Sequence, residues 1–310
     1  SLGPPPMELR HLRYFVAAGE HGSISAAAES LNVAQPSIAS AINHLEKELE
    51  VDLFLRKQSM GVTLTQAGTM IFTEARNLLS HAGDFGAFST NISEEITGEI
   101  HVASFVNIAP VYLAEILRSF QDKYPGVTVR TYIGNQQEVL GGIQSGQHEI
   151  ALTFDLSLTD DYLIDVVSVL PPQLVVHAAH PLAGAKSADI ADVISEPFIL
   201  LDLPHSRDYF FSLFSEVGLR PRQTIELASF ETIRTFVGNG LGFSLLNLQP
   251  RNATNYDGTK VQYIPIKSPV RPLKICCVRL QRTVHRRACL AFIEHVRGFF
   301  ESEVNAEHVA

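Results

Sequence analysis

Polar side chains between residues 35 and 43 have the types and the spacing needed to read base edges in a nucleic acid. A glutamine amide can pair with adenine through two hydrogen bonds, and serine and asparagine reach bases or phosphates. The candidates are Gln35, Ser37, Ser40 and Asn43. Taken alone, these residues equally describe the solvated face of an ordinary helix, so the surrounding elements must decide between the two interpretations.

The stretch VAQPSIASAINHLEKEL, residues 33–49, predicts an amphipathic helix that carries this polar face. Ile38, Leu45 and Leu49 recur at helical spacing on the opposite side, and Pro36 falls in the first turn, where its missing N–H costs nothing. Two helices are predicted before it, over 9–20 and 26–31. Two short helices, a tight turn and a longer third helix describe a helix-turn-helix.

A small β-hairpin, or wing, is predicted from VDLFLRKQSMGVTLT after the third helix. Arg56 and Lys57 lie on this wing, where they would contact phosphate, which positions a protein on DNA without specifying sequence. Thr65 can cap the helix that follows. We expect a winged helix-turn-helix domain over residues 7–65, all α apart from the wing.

A long helix over 66–93 is predicted to link this domain to the rest of the chain. Its apolar and small residues step by four and three, as in the seam of a two-stranded coiled coil. They are Ile71, Ala75, Leu78, Ala82, Phe85, Ser89 and Ile92. The pattern favours a homodimer through this helix, with a helix packed on its own domain as the alternative.

Strands and helices then alternate over residues 97–310, which predicts an α/β domain with a parallel sheet. Two proline-bearing joints, LPPQ at 170–173 and KSPVRP at 267–272, suggest that the chain crosses between two Rossmann-like lobes and returns. Lobe I would hold about 97–170 and 271–300, and lobe II about 171–270. Such a pair can close on a ligand by hinge motion.

A cleft between these lobes has candidate ligand-binding residues of its own. Ser206 and Arg207 stand at a predicted helix start, where free N–H groups and a guanidinium suit a carboxylate or phosphate. Ser229 begins another helix. Phe105, Phe154 and Phe230 could wall an aromatic ligand, although phenylalanine is more often a core residue.

The composition of the chain limits the classes of function that it can have. The chain has 310 residues, 45% of them hydrophobic, and no run of the roughly 20 apolar residues that span a bilayer, so we expect a cytoplasmic protein. Residues 1–6 look like a cloning remnant before Met7. Net charge is −9, and residues 7–65 carry five basic against seven acidic side chains, or −2, so DNA reading must depend on geometry and a few placed cations.

Signals for enzymatic chemistry are weak. GNGLG at 238–242 follows a helix and precedes a strand, the reverse of a dinucleotide-binding loop. His177 and His180 are too few for a metal site, and Ser206 and Ser229 lie in no nucleophile-elbow pattern. Three cysteines, two of them adjacent, indicate buried, reduced thiols. We expect no enzyme activity and no cofactor.

The N-terminal residues HLRYFVAAGEHGSISAAAESLNVAQPSIASAINHLEKEL, with DLFLR and LTQAG, resemble the winged helix-turn-helix of LysR-type transcriptional regulators. The segments LAEILRSFQDKYPGVTVRTYIG, GQHEIALT, HAAHPLA and SFETIRTFVGNGLGFSLLN extend the resemblance to about residue 300. Ser40 departs from it, standing where the family commonly has a basic residue. Glu50 also departs, replacing the glycine that usually ends the helix.

The resemblance implies a promoter-binding regulator that dimerises through the linker helix and assembles as a tetramer, with contact to RNA polymerase possible. Its lobes would resemble periplasmic binding proteins and hold a small effector, here a carboxylate, and Thr65 would meet backbone phosphate. The effector-binding residues expected are Ser104, Phe105, Asn107, Asn135, His205, Ser206, Arg207, Ser229 and Phe230. The alternative is a solute-binding or transport-associated protein with a fused helical module.

Overall fold

Three helices and a short hairpin form the N-terminal domain. The structure is a computed structural model that describes residues 7–55, 61–90, 96–283 and 285–307. The helices are α1 (Leu9–His21), α2 (Ile24–Leu31) and α3 (Gln35–Leu49). Strands β1 (Phe54–Leu55) and β2 (Thr63–Leu64) pair antiparallel as the base of the wing. The wing residues Arg56 and Lys57 lie outside the described residues.

Local sequence explains where these helices begin and end. The Ser23 hydroxyl accepts a hydrogen bond from the N–H of Ala26 and caps α2, and Pro36 lies in the first turn of α3, as predicted. The apolar face of α3 is buried against Phe15 of α1. The ring of Phe15 meets those of Phe54 and Phe72 edge to face, which ties the three helices to the wing and to the next helix.

The linker helix α4 (Gln66–Thr90) begins against the base of the wing. A side chain at Gly68 would place its Cβ 2.0 Å from the carbonyl oxygen of Leu53, so this close approach requires glycine. Part of the predicted coiled-coil seam packs into the core of the N-terminal domain, where Ala75 is buried and Ile71 packs against it. Leu78 and Phe85, further along, are 49% and 72% exposed. Ile92 lies outside the described residues.

Lobe I is built on a five-stranded sheet in the order β4-β3-β5-β12-β6. Its strands are β3 (Gly98–Phe105), β4 (Val127–Gly134), β5 (Ile150–Phe154), β6 (Tyr162–Leu170) and β12 (Leu273–Leu280). A π-helical turn (Ala109–Leu113) leads into α5 (Ala114–Lys123), and α6 (Gln136–Gln144) and α9 (Arg287–Glu307) complete the lobe.

Lobe II contains a three-stranded sheet, β10-β7-β11, and a parallel pair, β8 and β9. The strands are β7 (Gln173–His177), β8 (Phe198–Leu201), β9 (Thr224–Leu227), β10 (Ser244–Leu246) and β11 (Val261–Pro265). Its helices are a 3-10 turn (Ile190–Val193), α7 (Ser206–Glu216) and α8 (Phe230–Gly238).

The expectation of a parallel sheet is wrong for part of each lobe. β3 pairs parallel with β4 and β5, but β12 runs antiparallel to both β5 and β6. Leu170, the last residue of β6, lies opposite Leu273, the first of β12. The chain therefore leaves lobe I and re-enters it at the same end of the strands, which forces β6 and β12 to run in opposite directions.

No helix in the described part of the chain has the length and apolar character needed to cross a bilayer.

Candidate functional site

The outer face of α3 presents the polar residues predicted to meet DNA. Gln35, at the first position of the helix, and Ser37, Ser40 and Asn43 are all exposed. Among the described residues none of these four side chains has a hydrogen-bond partner, so their donors and acceptors are available. The buried face of the same helix holds it against the domain core, which fixes the direction in which the polar groups point.

A groove beside α3 adds side chains from α1 that the sequence analysis missed. Arg10, His11 and Tyr14 line it from α1, and Ser40 and His44 are among the α3 residues on the other side. The rings of His11 and His44 lie 4.9 Å apart, edge to face. Arg10, in an exposed ion pair with Glu8 at 3.1 Å, brings a cation next to a helix that lacks one at Ser40. Only the packing of α1 on α3 reveals this, because the two residues are far apart in sequence.

Thr65 caps the linker helix. Its hydroxyl accepts a hydrogen bond from the N–H of Gly68 at 2.8 Å and donates to the carbonyl oxygen of Asp52 at 2.6 Å. The Thr65 hydroxyl thus uses both its donor and an acceptor lone pair at the junction between the wing and the linker helix. A phosphate contact at this position stays a prediction, and it would have to use something other than the hydroxyl proton.

A small cavity lies where the two lobes meet. Lobe I contributes Phe105, Asn107, Phe154 and Leu273. Lobe II contributes Leu201, Ser206, Phe210, Phe230, Leu246, Asn247 and Leu248. Its volume of about 20 Å³ is room for about one water molecule, so a larger ligand enters only if the lobes move apart. Of the predicted effector-binding residues, Phe105, Asn107, Ser206 and Phe230 line this cavity.

Three polar side chains interrupt its apolar wall, and each is at least nine-tenths buried. Ser206 is 3% exposed, Asn107 7% and Asn247 8%. Neither the Ser206 hydroxyl nor the Asn107 amide bonds to any side chain or backbone group in the described residues. Buried polar groups normally have partners, so such an arrangement marks a place where a ligand or water completes the set.

Asn247 is held by one end of its amide. Its Nδ2 donates to the carbonyl oxygen of Leu170 at 3.0 Å and to the hydroxyl of Tyr209 at 2.8 Å. The Tyr209 hydroxyl in turn donates to the carbonyl oxygen of Arg271. Since a carbonyl only accepts, the amide cannot be turned round. Its Oδ1 is consequently the buried atom left without a partner in the described structure.

The remaining predicted effector residues have other roles in this arrangement. Asn135 caps α6 in a reciprocal pair with Glu138, and Ser229 caps α8. Ser104 is fully buried, and its hydroxyl donates to the carbonyl oxygen of Phe105. None of the three capping or buried groups lines the cavity. The sequence located them correctly at helix starts and strand ends, but such positions serve local structure as well as ligands.

Arg207 is already paired. Its guanidinium lies 3.1 Å from the carboxylate of Asp202 and 2.6 Å from that of Glu226, with the ring of Phe211 beneath it. The hydrogen bond to Glu226, followed in size of effect by the one to Asp202, raises the pKa of Arg207. The hydrogen bond from Arg207 in turn lowers the pKa of Glu226. The cation predicted for an anionic effector is therefore bound to two carboxylates outside the cavity lining.

His205 connects the lobes at the edge of the cleft. Its Nδ1 is hydrogen-bonded to the hydroxyl of Ser157 at 2.8 Å, and Ser157 follows β5 in lobe I. Both residues have positive φ, 67° for His205 and 54° for Ser157, which is unusual for residues with a side chain. We call this contact the interlobe latch.

A winged helix-turn-helix joined to a two-lobed α/β domain with a cavity at the lobe junction is the architecture of a ligand-responsive DNA-binding protein. The family model for the bacterial regulatory helix-turn-helix of the lysR family matches residues 9–69, and that for the LysR substrate binding domain matches residues 93–301. The chain belongs to the LysR family of transcriptional regulators. It is a DNA-binding regulator with an effector-binding domain, not an enzyme, and the solute-binding alternative is not favoured.

Comparison with individual proteins gives the same class of protein. The chain is 30% identical to the HTH-type transcriptional regulator YnfL of Escherichia coli (strain K12) over 84% of this chain and 88% of that protein. It is 25% identical to the hydrogen peroxide-inducible genes activator of Pectobacterium carotovorum subsp. carotovorum, over 96% and 99%. The crystal structure of HinK, a LysR family regulator from Pseudomonas aeruginosa, is 34% identical, with a TM-score of 0.64 over 95% of this chain and 99% of that one.

The thiols of this chain do not favour a peroxide response. Cys276, Cys277 and Cys289 are all buried. Burial raises the pKa of Cys276 to about 12 and also raises that of Cys277, whereas a reactive cysteine needs an accessible thiolate. The expectation that the cysteines are buried is confirmed. The peroxide response in the name of one relative therefore has no counterpart in the cysteines here.

Proposed function

We propose that this regulator changes its state on promoter DNA when a small effector occupies the cavity between lobe I and lobe II. The observation that carries the proposal is the set of three buried polar side chains, Asn107, Ser206 and Asn247, around an apolar cavity at a joint crossed by only two segments of the described chain. A ligand that completes these hydrogen bonds favours one lobe arrangement over another, which is what shifts an equilibrium.

Promoter DNA would meet the exposed face of α3. Gln35 and Ser37 would contact base edges, with Ser40 and Asn43 further along the helix and Arg10 at the groove beside it. Arg56 and Lys57 would contact phosphate from the wing, as the family resemblance implies. Because α3 has small residues at its centre, sequence-dependent DNA shape would supply part of the specificity.

Signals between the two domains would pass through the contact of α4 with lobe I. Arg76 donates to the carbonyl oxygens of Gly146 at 3.3 Å and Gln147 at 3.5 Å, and the hydroxyl of Thr73 donates to the carbonyl oxygen of Ser145. These bonds join the linker helix to the turn that precedes β5. A lobe movement that shifts this turn therefore acts directly on the helix that carries the DNA-binding domain.

LysR regulators oligomerise, and the exposed Leu78 and Phe85 of α4 support a homodimer through this helix in the present protein. A tetramer would bring two such dimers to one promoter. Contact with RNA polymerase and a cytoplasmic location belong to the same proposal, and both follow from the family rather than from any residue described above.

The predicted carboxylate effector depended on Arg207. That guanidinium is paired with Asp202 and Glu226, and the N–H groups of Ser206 and Arg207 both donate to the carbonyl oxygen of Leu203, so neither offers a free site for an anion. The proposal therefore places the effector in the cavity and assigns no charge to it.

A mobility-shift titration of the full-length chain with the DNA upstream of its own gene tests the proposal. A fragment of coding DNA with the same length and base composition serves as the control. We expect the upstream DNA to bind at least about 1,000-fold more tightly at moderate salt, the lower end of specific recognition. Equal affinity for the two fragments would contradict the proposed mode of action.

A further inference from the structure

The walls of the lobe-junction cavity indicate the chemical class of the ligand. We infer that the cavity takes an uncharged aromatic molecule that carries an N–H or O–H donor, and that this donor binds Oδ1 of Asn247. The inference rests on the proposed function in placing the effector at this cavity, and it adds the charge and hydrogen-bonding character of that effector.

The charges around the cavity disfavour a negatively charged ligand. The described residues that line the cavity include four phenylalanines and four leucines and no Asp, Glu, His, Lys or Arg. Arg207 is bound to two carboxylates, and Arg271 lies 3.2 Å from Asp155. A carboxylate held against these walls would lose part of its hydration without meeting a cation among the described lining residues, which is unfavourable.

Hydrogen-bond direction gives a second, independent argument. The Asn247 amide is fixed by Leu170, whose carbonyl can only accept, so Oδ1 is held as an unpaired acceptor on a residue of the cavity wall. An ionised carboxylate has acceptors alone and would leave Oδ1 unpaired, facing another negative oxygen. An amide, phenol, aniline or ring N–H would satisfy it.

The other two polar groups are less selective, which allows a second polar atom in the ligand. The Ser206 hydroxyl and the Asn107 amide can each donate or accept, and neither has a partner among the described residues. The rings of Phe105 and Phe154, 5.2 Å apart at 65°, form an aromatic corner beside Asn107. A planar ring with one donor and one acceptor matches this set of groups.

Three probes of nearly equal size separate the possibilities. Benzamide is neutral and has both N–H donors and a carbonyl, benzoate is the anion with acceptors only, and acetophenone is neutral with no donor. Their binding to the full-length chain can be measured by ligand-detected NMR titration. We expect benzamide to bind about tenfold or more tightly than either of the others, the effect of leaving one buried acceptor unpaired.

Variants connect that preference to the cavity. Asn247→Ala should remove the preference for benzamide over acetophenone, and Ser206→Ala should weaken benzamide binding while leaving the fold intact. Ser229→Ala is the matched control, because Ser229 also stands at a helix start but lies outside the cavity lining. Circular dichroism of each variant checks that it is folded, and Ser206→Ala remains informative if Asn247→Ala does not fold.

The inference is overturned if benzoate binds as tightly as benzamide, if benzamide shows no binding at about 1 mM, or if its binding is unchanged in Ser206→Ala. These outcomes are separable from a failure of the proposed function. Preference for benzoate together with specific binding to upstream DNA would contradict only the ligand class. Binding of benzamide without specific DNA binding would contradict the regulatory role and leave the ligand class standing.

Discussion

At the end of α3, Glu50 adopts a left-handed backbone conformation, with φ 55° and ψ 33°. Its N–H donates to the carbonyl oxygen of Glu46, which closes the helix, but a residue with a side chain is strained there. The family resemblance places a glycine at this position, and the structure shows why: glycine enters the left-handed region without a Cβ clash.

We predict that Glu50→Gly stabilises the DNA-binding domain by about 1 kcal/mol, because it relieves this strain. The free energy of unfolding in urea, followed by circular dichroism, measures the change. Lys47→Gly is the control, since Lys47 has an ordinary helical conformation and glycine there should cost roughly 0.5–1 kcal/mol. Destabilisation by both substitutions to a similar extent would refute the assignment of strain to Glu50.

Single residues also show how far the sequence could predict the site. Ser206 is predicted from a helix start, Phe105 and Phe230 are predicted as walls for an aromatic ligand, and all three line the cavity. Arg207 was predicted from the same local rule, yet its partner Glu226 comes from a strand 19 residues away. Asn247 was missed, although it follows the end of β10, because its unpaired oxygen depends on Leu170 and Tyr209, which only the fold brings together.

At the scale of elements, the interlobe latch is one contact that opposes opening of the cleft, and the ion pair between Arg251 and Glu115 is another. Ser157 extends from the turn after β5 and His205 from the residue before α7, so their hydrogen bond crosses between lobes. A single hydrogen bond of this kind contributes about 0.5–1.5 kcal/mol. Removing it should increase the population of open molecules several-fold.

We predict that Ser157→Ala speeds amide hydrogen exchange in residues 201–210 and 246–248 by roughly 2- to 10-fold. Mass-spectrometric exchange on the intact protein measures this. Ser302→Ala is the control, because the Ser302 hydroxyl donates to the carbonyl oxygen of Phe299 within α9, away from the cleft. If both variants exchange at the wild-type rate in these segments, the latch does not hold the cleft closed.

The contact of α4 with lobe I contains partly buried histidines. Burial, and then the charge of Arg76, lowers the pKa of His101, while Glu99, Glu149 and Glu20 oppose this. His148 is close by, and burial followed by the charges of His101 and Arg76 lowers its pKa as well. Both histidines are therefore more easily protonated in the unfolded chain than in the folded one.

We predict that thermal stability is nearly constant between about pH 7 and 8 and falls as the pH is lowered through about 6.5, the ordinary histidine pKa. The sign follows because protonation below that pH favours the unfolded state. The pKa of Glu149 is lowered by Arg286 against the effect of burial, so its contribution is lost only at more acidic pH, and with the same sign.

Melting temperatures across this pH range measure the effect. His101→Gln should reduce the loss without abolishing it, because burial also lowers the pKa of His148, His285 and His295. A higher melting temperature of the wild type at pH 5.5 than at pH 7.5 would be opposite to the predicted sign and would overturn the explanation.

At the scale of elements the sequence was a good guide, because hydrophobic periodicity is set locally. The alternation of strands and helices predicted for residues 97–310 is present in the described part of that range. The direction of β12 was not predictable from the same pattern, since it depends on where the chain re-enters lobe I. The seam of α4 is predicted as one continuous apolar stripe, but the N-terminal domain buries its first half. The spacing of apolar residues along one helix cannot show which part of it a neighbouring domain covers.

At the scale of the whole molecule, the exposed second half of that seam is the surface expected to join two copies. We predict that Phe85→Glu shifts the protein from dimer towards monomer, because a carboxylate would be buried at an apolar helix pair. Sedimentation velocity at micromolar concentration measures the shift. Met70→Glu is the control, since Met70 is similarly exposed on α4 but lies off the seam. A dimer retained by Phe85→Glu would place the interface elsewhere.

The central claim is that the exposed face of α3 reads promoter sequence, and the Gln35 side chain tests it most directly. Fluorescence anisotropy should compare the wild type, Gln35→Ala and Gln137→Ala for affinity to upstream DNA and to a coding fragment at one salt concentration. Gln137 is the control because it is an exposed glutamine in the first turn of α6. We predict that Gln35→Ala loses about 5- to 150-fold of its preference for the upstream DNA, the range for one bidentate base contact, while Gln137→Ala keeps it. An unchanged preference in Gln35→Ala would contradict direct readout by α3.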